Sequence, residues 1–279
     1  MTGTILITGA NGSLALGFIQ SLLLSHPSHT LIATVRNTSP SSDPNTARLI
    51  NLITKHPKTR VLLEPLDLGS LSSVRSFADT ITAKIAKREL PPISAIICNA
   101  FTWSLTGQRS TPDGYEATFQ VSHLSHWLLV LKLLGSMDKT AGRVVMIGSN
   151  AHYPERANPL SKLRAKFPED DTMEELVRPG KDGVGEVHDR GFQRYGTSKL
   201  ANVVFVEDLN ARLLAVSFSF LIHYCFVGSI GGGGGANTWV EHRILILRAL
   251  LPRAWTLAVL LGRERTRNKK RLLKRSWVL

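Results

Sequence analysis

The sequence is poor in cysteine, in acid and in aromatic residues. Its only cysteines are Cys98 and Cys225. Two are too few for the disulfide framework of a small secreted domain, so a reducing compartment is expected. A secretory signal would need a basic end followed by an apolar run; the chain opens instead with "TGTILITGANGS", and the expected location is cytoplasmic. Aromatic residues make up 7% of the chain, and no basic stretch is interleaved with them. Nucleic acid is therefore not an expected partner, despite a net charge of +13.

The shortage of acid is local. From residue 236 to 279, eleven Lys/Arg stand against Glu241 and Glu264, and this stretch carries most of the positive charge. The remainder carries roughly +4, which is ordinary for a soluble domain. No internal repeat occurs.

Short apolar runs alternate with helical patterns. Strands are expected at 4–9, 30–36, 60–68, 93–100 and 142–149. Helices are expected at 10–26, 45–56, 71–88 (with a Ser cap), about 112–136 and about 191–213. The strands are apolar nearly throughout, the pattern of strands buried on both faces. Alternation of this kind predicts an α/β fold with a doubly wound parallel sheet. Residues 152–190 are charged and rich in Pro and Gly, and are expected to leave the core.

Beyond 213 the order changes. An apolar run, "LLAVSFSFLIHYCFVGSI", leads into five glycines at 231–235. Next come "ILILRALLPRAWTLAVLLG" and a basic segment, 263–275. The organisation is therefore read as 1–213, a nucleotide-binding domain with a catalytic set, and 214–279, an atypical apolar, glycine-rich and basic tail. Arg248, Pro252 and Arg253 interrupt the second apolar run. Contact of 244–275 with a membrane surface is an alternative role for the tail. Another is a tail read from a retained intron or a shifted frame.

After the first strand comes Thr8-Gly9-Ala10-Asn11-Gly12-Ser13-Leu14-Ala15. Gly9 and Gly12 permit a tight turn and close approach of backbone to a phosphate, and the helix N-terminus supplies free N–H groups. Arg36 ends the second strand, where an acid would suit NAD and a cation suits the 2′-phosphate of NADP. Asp67 ends the third strand, where it could reach an adenine or simply cap its loop. Tyr195 and Lys199 stand four apart and share a helix face. A neighbouring ammonium would lower the tyrosine's pKa and ready it for proton transfer. Ser149 ends the fifth strand, at the ligand edge of such a sheet. His123, His126 and His152 do not have the spacing of a metal ligand set, and no metal is expected.

The pieces "TGANGSLA", "LDL", "CNA", "GSNAH" and "YGTSK", in that order, resemble the short-chain dehydrogenase/reductase family over residues 3 to about 213. The stretches "CNAF" and "DGYEATFQVSHLSHWLLVLKLL" resemble its branch of retinol dehydrogenases, protochlorophyllide reductase and fungal 3-ketosteroid reductases, and fungal secondary-metabolite members above all. The resemblance implies NADP(H) held at Thr8, Gly9, Asn11, Gly12, Ser13, Leu14, Arg36, Asp67, Asn99, Tyr195 and Lys199. It implies Tyr195 as acid/base, Lys199 as its assistant and Ser149 as the group that orients the carbonyl of a hydrophobic small molecule. The expected activity is hydride transfer between nicotinamide and a carbonyl or secondary alcohol; the alternative is a degenerate member that binds cofactor without turnover.

The chain departs from the family at three places. Ser122 stands where an asparagine usually helps hold a relay water, 150–194 is a long insertion, and no Pro-Gly pair occurs between 200 and 279.

Overall fold

The computed structural model describes residues 2–41, 43–156, 160–168, 173–215 and 221–225. Six parallel strands form one sheet in the order β3-β2-β1-β4-β5-β6. They are β1 (Thr4–Ile7), β2 (Thr30–Val35), β3 (Val61–Pro65), β4 (Ile93–Cys98), β5 (Arg143–Ile147) and β6 (Leu221–Cys225). Helices α1 (Ser13–Ser25), α2 (Pro44–Thr54) and α3 (Leu71–Ala86) connect the first four strands. Before β5 the chain runs through α4 (Ala117–Phe119), a π-helical turn (Gln120–Leu124) and α5 (Ser125–Leu133). Between β5 and β6 lie the short α6 (Glu174–Val177) and the long α7 (Val187–Ala215).

The doubly wound expectation is met. The two-residue period of the strands sorts their side chains into two cores. Ile5, Ile7, Leu31, Ala33, Val35, Ala95, Ile97, Val145 and Ile147 pack with Ala15, Phe18, Ile19 and Leu22 of α1. Leu6, Ile32, Ile96, Val144 and Met146 face the opposite way, onto α3, α5 and α7. Strand order reverses between β1 and β4, the position at which sheets of this kind bind ligands.

Local chemistry explains the helix starts. Ser70 caps α3 by accepting from Ser73 N at 3.3 Å. Asp43 caps α2 by accepting from Asn45 N at 2.8 Å, with Pro44 in the first turn, where its missing N–H costs nothing. Helix α1 starts at Gly12 with no side-chain cap, which leaves its first N–H groups open to a ligand.

The structure corrects three expectations. β3 is the sheet edge and only half-buried, although its apolar composition predicted burial on both faces. The helix expected from about 112 begins at Ala117, because 111–116 form a turn closed by the Ser110–Glu116 bridge. Its middle is a π turn rather than α-helix. The apolar run beyond 213 supplies β6, paired with β5 from Arg143↔Leu221 to Ile147↔Cys225. The tail segment 244–275, with its membrane and shifted-frame readings, lies outside the described residues. Among the described residues, no helix is long and apolar enough to cross a membrane.

The buried Thr8 hydroxyl joins the two halves of the sheet. It accepts from Asn99 N at 3.0 Å and Ala100 N at 3.1 Å. With its lone pairs so used, it donates to Nε2 of His126 on α5, 2.8 Å away, which leaves the imidazole proton on Nδ1. Thr8→Val keeps the shape and strands these partners without a mate. It is expected to destabilise the fold by about 2–4 kcal/mol, read as a lower urea midpoint with an unchanged slope.

Candidate active site

Two adjoining features sit at the C-terminal ends of the strands. The first is a cleft of about 870 Å³ lined by Gly9, Asn11, Gly12, Arg36, Asp67 and Asn99, among others. Gly9 has φ +61°, and a Cβ there would stand 2.9 Å from the Ala100 Cβ, so only glycine fits the turn. Asn99 fixes that turn by donating its amide to the carbonyls of Thr8 (3.0 Å) and Gly9 (3.2 Å). Arg36 is exposed at the end of β2. Asp67 accepts from Gly69 N at 2.8 Å, so it caps its loop while also lining the cleft.

Not every expected nucleotide residue faces this space with a free side chain. The Asn11 amide donates to Asp43 (2.7 Å) and Thr46 (3.0 Å), and so ties the glycine turn to α2. Thr8 is buried in its own network. Ser13 and Leu14 open α1 outside the cleft lining.

The second feature brings together Ser149, Tyr195 and Lys199. Ser149 follows β5 and caps the short turn Asn150–His152 by accepting from Ala151 N at 3.3 Å. Its side chain acts on the Tyr195 phenol and favours the ionised form. Lys199 is buried and donates from Nζ to the Ile147 carbonyl at 2.9 Å. Gly196 makes the approach possible: a Cβ there would lie 2.5 Å from the Ala151 carbonyl oxygen. A side chain at 196 would push the Ser149 turn off α7.

The electrostatics differ from the sequence expectation. Burial raises the Tyr195 phenol above its ordinary value, opposed only by the hydrogen bond to Ser149. The Lys199 ammonium lies 5.8 Å from the ring centroid and is bonded to the Ile147 carbonyl. Burial brings Lys199 down to about 8 and pushes the neighbouring Cys98 thiol up to about 12.

Several residues of the site were missed in the sequence. Phe101 and Trp103 follow β4 and place their rings 5.9 and 5.3 Å from that of Tyr195. Arg194 makes a bidentate pair with Asp182 of the insertion, at 2.5 and 2.9 Å, and faces Glu116 at 3.6 Å. This pairing fixes the insertion to α7 one residue before Tyr195. Such long-range polar pairs have no spacing signature. The exposed-aromatic signal in "CNAFTW" was available but is not specific.

His123 and His126 are each held by one polar side chain. Asn202 donates to the Ser122 carbonyl at 3.0 Å, so its oxygen accepts from His123 Nδ1 at 2.8 Å. Among the described residues, no group of three or more potential ligands could hold a metal.

The class is thereby defined: a doubly wound α/β protein with a glycine-turn cleft at the switch point and a Ser–Tyr–Lys set beside it. No family profile matches the chain. A short-chain dehydrogenase of Talaromyces variabilis, iccH, is 32% identical over 238 residues, covering 76% of this chain and 64% of that protein. The WW domain-containing oxidoreductase of Danio rerio is 39% identical over 211 residues, covering 75% of this chain and 45% of its own. A metagenomic short-chain oxidoreductase solved with NADP has the same fold, with a TM-score of 0.59 at 14% identity, over 90% of this chain and 92% of that one. The chain belongs to the short-chain dehydrogenase/reductase family. It spans about two thirds or less of the length of these curated relatives.

Burial holds His123 down to about 4 and His126 to about 3, while both titrate near 6.5 when unfolded. Their depressed folded pKa values mean that the stability is complete above 6.5. It is lost as pH falls, because the unfolded chain takes up protons that the folded one refuses. Urea unfolding at pH 7 and pH 5 should differ by about 3–4 kcal/mol, and replacing His123 with Gln should roughly halve the difference.

Proposed function

We propose that this protein is an NADP(H)-dependent oxidoreductase acting on the carbonyl or secondary alcohol of an apolar small molecule. The observation that carries the reading is Tyr195 on α7 with Lys199 one helical turn on, bonded to the end of β5 where Ser149 follows, beside a cleft built on a glycine turn. The family relation supports it, as does the NADP in the metagenomic neighbour.

The chain's own residues fit the cofactor. Gly9 and Gly12 leave the space a pyrophosphate needs, and the uncapped start of α1 offers N–H groups to it. Arg36, exposed at the end of β2, suits a 2′-phosphate; Asp67 lies where an adenine would rest. The nicotinamide, when bound, supplies or accepts the hydride. Ser149 would hold the substrate oxygen by a hydrogen bond, and Tyr195 would pass the proton between its hydroxyl and that oxygen. Because burial raises the Tyr195 pKa, the phenol is protonated at neutral pH and set to act as the acid in reduction. Lys199, bonded to the Ile147 carbonyl, would fix to β5 the helix face that presents the tyrosine.

The catalytic and cofactor residues fall within 1–213, and β6 extends the sheet that carries them. The resemblance of the sequence to fungal secondary-metabolite members implies a terpenoid, steroid or polyketide ketone as substrate, and the Talaromyces relative is a fungal short-chain dehydrogenase.

Titration by cofactor fluorescence should show NADPH binding roughly tenfold or more tighter than NADH, with Arg36→Ala bringing the two within about threefold. In a ketone screen, Tyr195→Phe should lower kcat by about 10²–10⁴ while cofactor binding persists. Saturable NADPH binding with no ketone reduced by the unaltered protein would point to cofactor binding without turnover.

A further inference from the structure

Phe101 and Trp103 are large aromatic residues left 52% and 41% exposed beside the ring of Tyr195. Exposed aromatic surface next to convergent polar groups is the makeup of a ligand wall. The rings form a continuous chain. Phe101 meets Tyr195, Tyr195 meets Trp103, and Trp103 stands edge-on to Phe192 at 5.2 Å. Phe101 also lines the cleft and lies under the Lys199 ammonium, 5.4 Å away.

The loop that carries these rings is held at three points. Ser122, at the centre of the π turn, accepts from Thr102 N and donates to Thr102 O, both at 3.2 Å. Its hydroxyl thereby clamps the loop in both directions. The Arg109 guanidinium donates to the Trp103 carbonyl at 2.9 Å. Gly191 on α7 lets the backbone at Ser104 lie against the helix, since a Cβ there would run into that carbonyl. The π turn matters because its extra residue turns the Ser122 side chain to Thr102 while its carbonyl meets Asn202 of α7.

We infer that Phe101 and Trp103 form a rigid substrate wall that selects a carbonyl compound with a flat, unsaturated ring system, and that Ser122 is the positioning residue that holds this wall. The inference rests on the oxidoreductase reading of the site. A flat ring gains offset or edge contact with both faces of the wall, whereas a puckered saturated ring of equal size gains burial alone.

The test compares 2-acetylnaphthalene with 2-acetyldecalin, which share a skeleton and differ in planarity. The measurements are NADPH-dependent kcat and KM on the full chain, with NADPH affinity measured in parallel. The unaltered protein should favour the naphthyl ketone by about tenfold or more in kcat/KM. Trp103→Leu keeps an apolar side chain without the flat face, and should reduce the preference to within about threefold. Ser122→Ala should raise KM for the naphthyl ketone several-fold, with kcat and NADPH affinity held; a merely structural role would lower stability and kcat together. Equal preference in the unaltered protein and in Trp103→Leu, with both ketones reduced, would overturn the inference and leave the oxidoreductase reading standing. Failure of the unaltered protein to bind NADPH would overturn that reading and the inference with it.

Discussion

The architecture turns on one hydroxyl. Thr8 follows β1 at the place where strand order reverses, and the two strands that diverge there must open a crevice without leaving polar backbone unpaired. Its oxygen takes the N–H groups of Asn99 and Ala100 after β4, and its proton goes to His126. Asn99 then reaches back to the carbonyls of Thr8 and Gly9. The reciprocal bonds close the bottom of the crevice and leave its top, the glycine turn, free for a ligand. A buried network of this kind is costly when half-made and rigid when complete, so the crevice and the α5 imidazole behind it form as a unit. Burial behind this network keeps His126 neutral.

Much of the frame was legible in the sequence because its signals are local. The turn Gly9–Gly12, the Ser70 cap and the four-residue step from Tyr195 to Lys199 depend on near neighbours. Apolar strand runs announce a parallel sheet, but composition does not tell an edge strand from a central one; β3 reads like the others and lies at the rim. The pairing of Tyr195 with Lys199 was only half legible. Spacing places both on one helix face, yet it does not say that Lys199 reaches past the tyrosine to the Ile147 carbonyl. The phenol is consequently governed by burial and by Ser149 rather than by the ammonium.

What sequence reasoning missed is non-local. Asp182 and Arg194 meet because the insertion folds back on α7, and Glu116 joins them from the start of α4. Ser122 shows the limit most clearly. In the sequence it reads only as a departure from the family, a serine where an asparagine usually helps hold a relay water. In the fold its hydroxyl belongs to Thr102, which is close only because of the π turn.

Helix α7 collects these separate constraints. Gly191, Tyr195, Lys199 and Asn202 fall within about 80° of arc at roughly 100° per residue, so one face presents all four. In order along that face they receive the Ser104 backbone, the Ser149 side chain, the Ile147 carbonyl and the Ser122 carbonyl. Each contact comes from a different segment: the aromatic loop, the turn after β5, β5 itself and the π turn. A shift of the helix by one residue would break all four at once. The helix therefore acts as a common reference for the proton-transfer groups and the aromatic wall, with Arg194 and its two carboxylates on a neighbouring face resisting rotation about the axis. Rigid regular structure, with glycine at the two points of closest approach, is what lets four separate parts of the chain dock along one helix face.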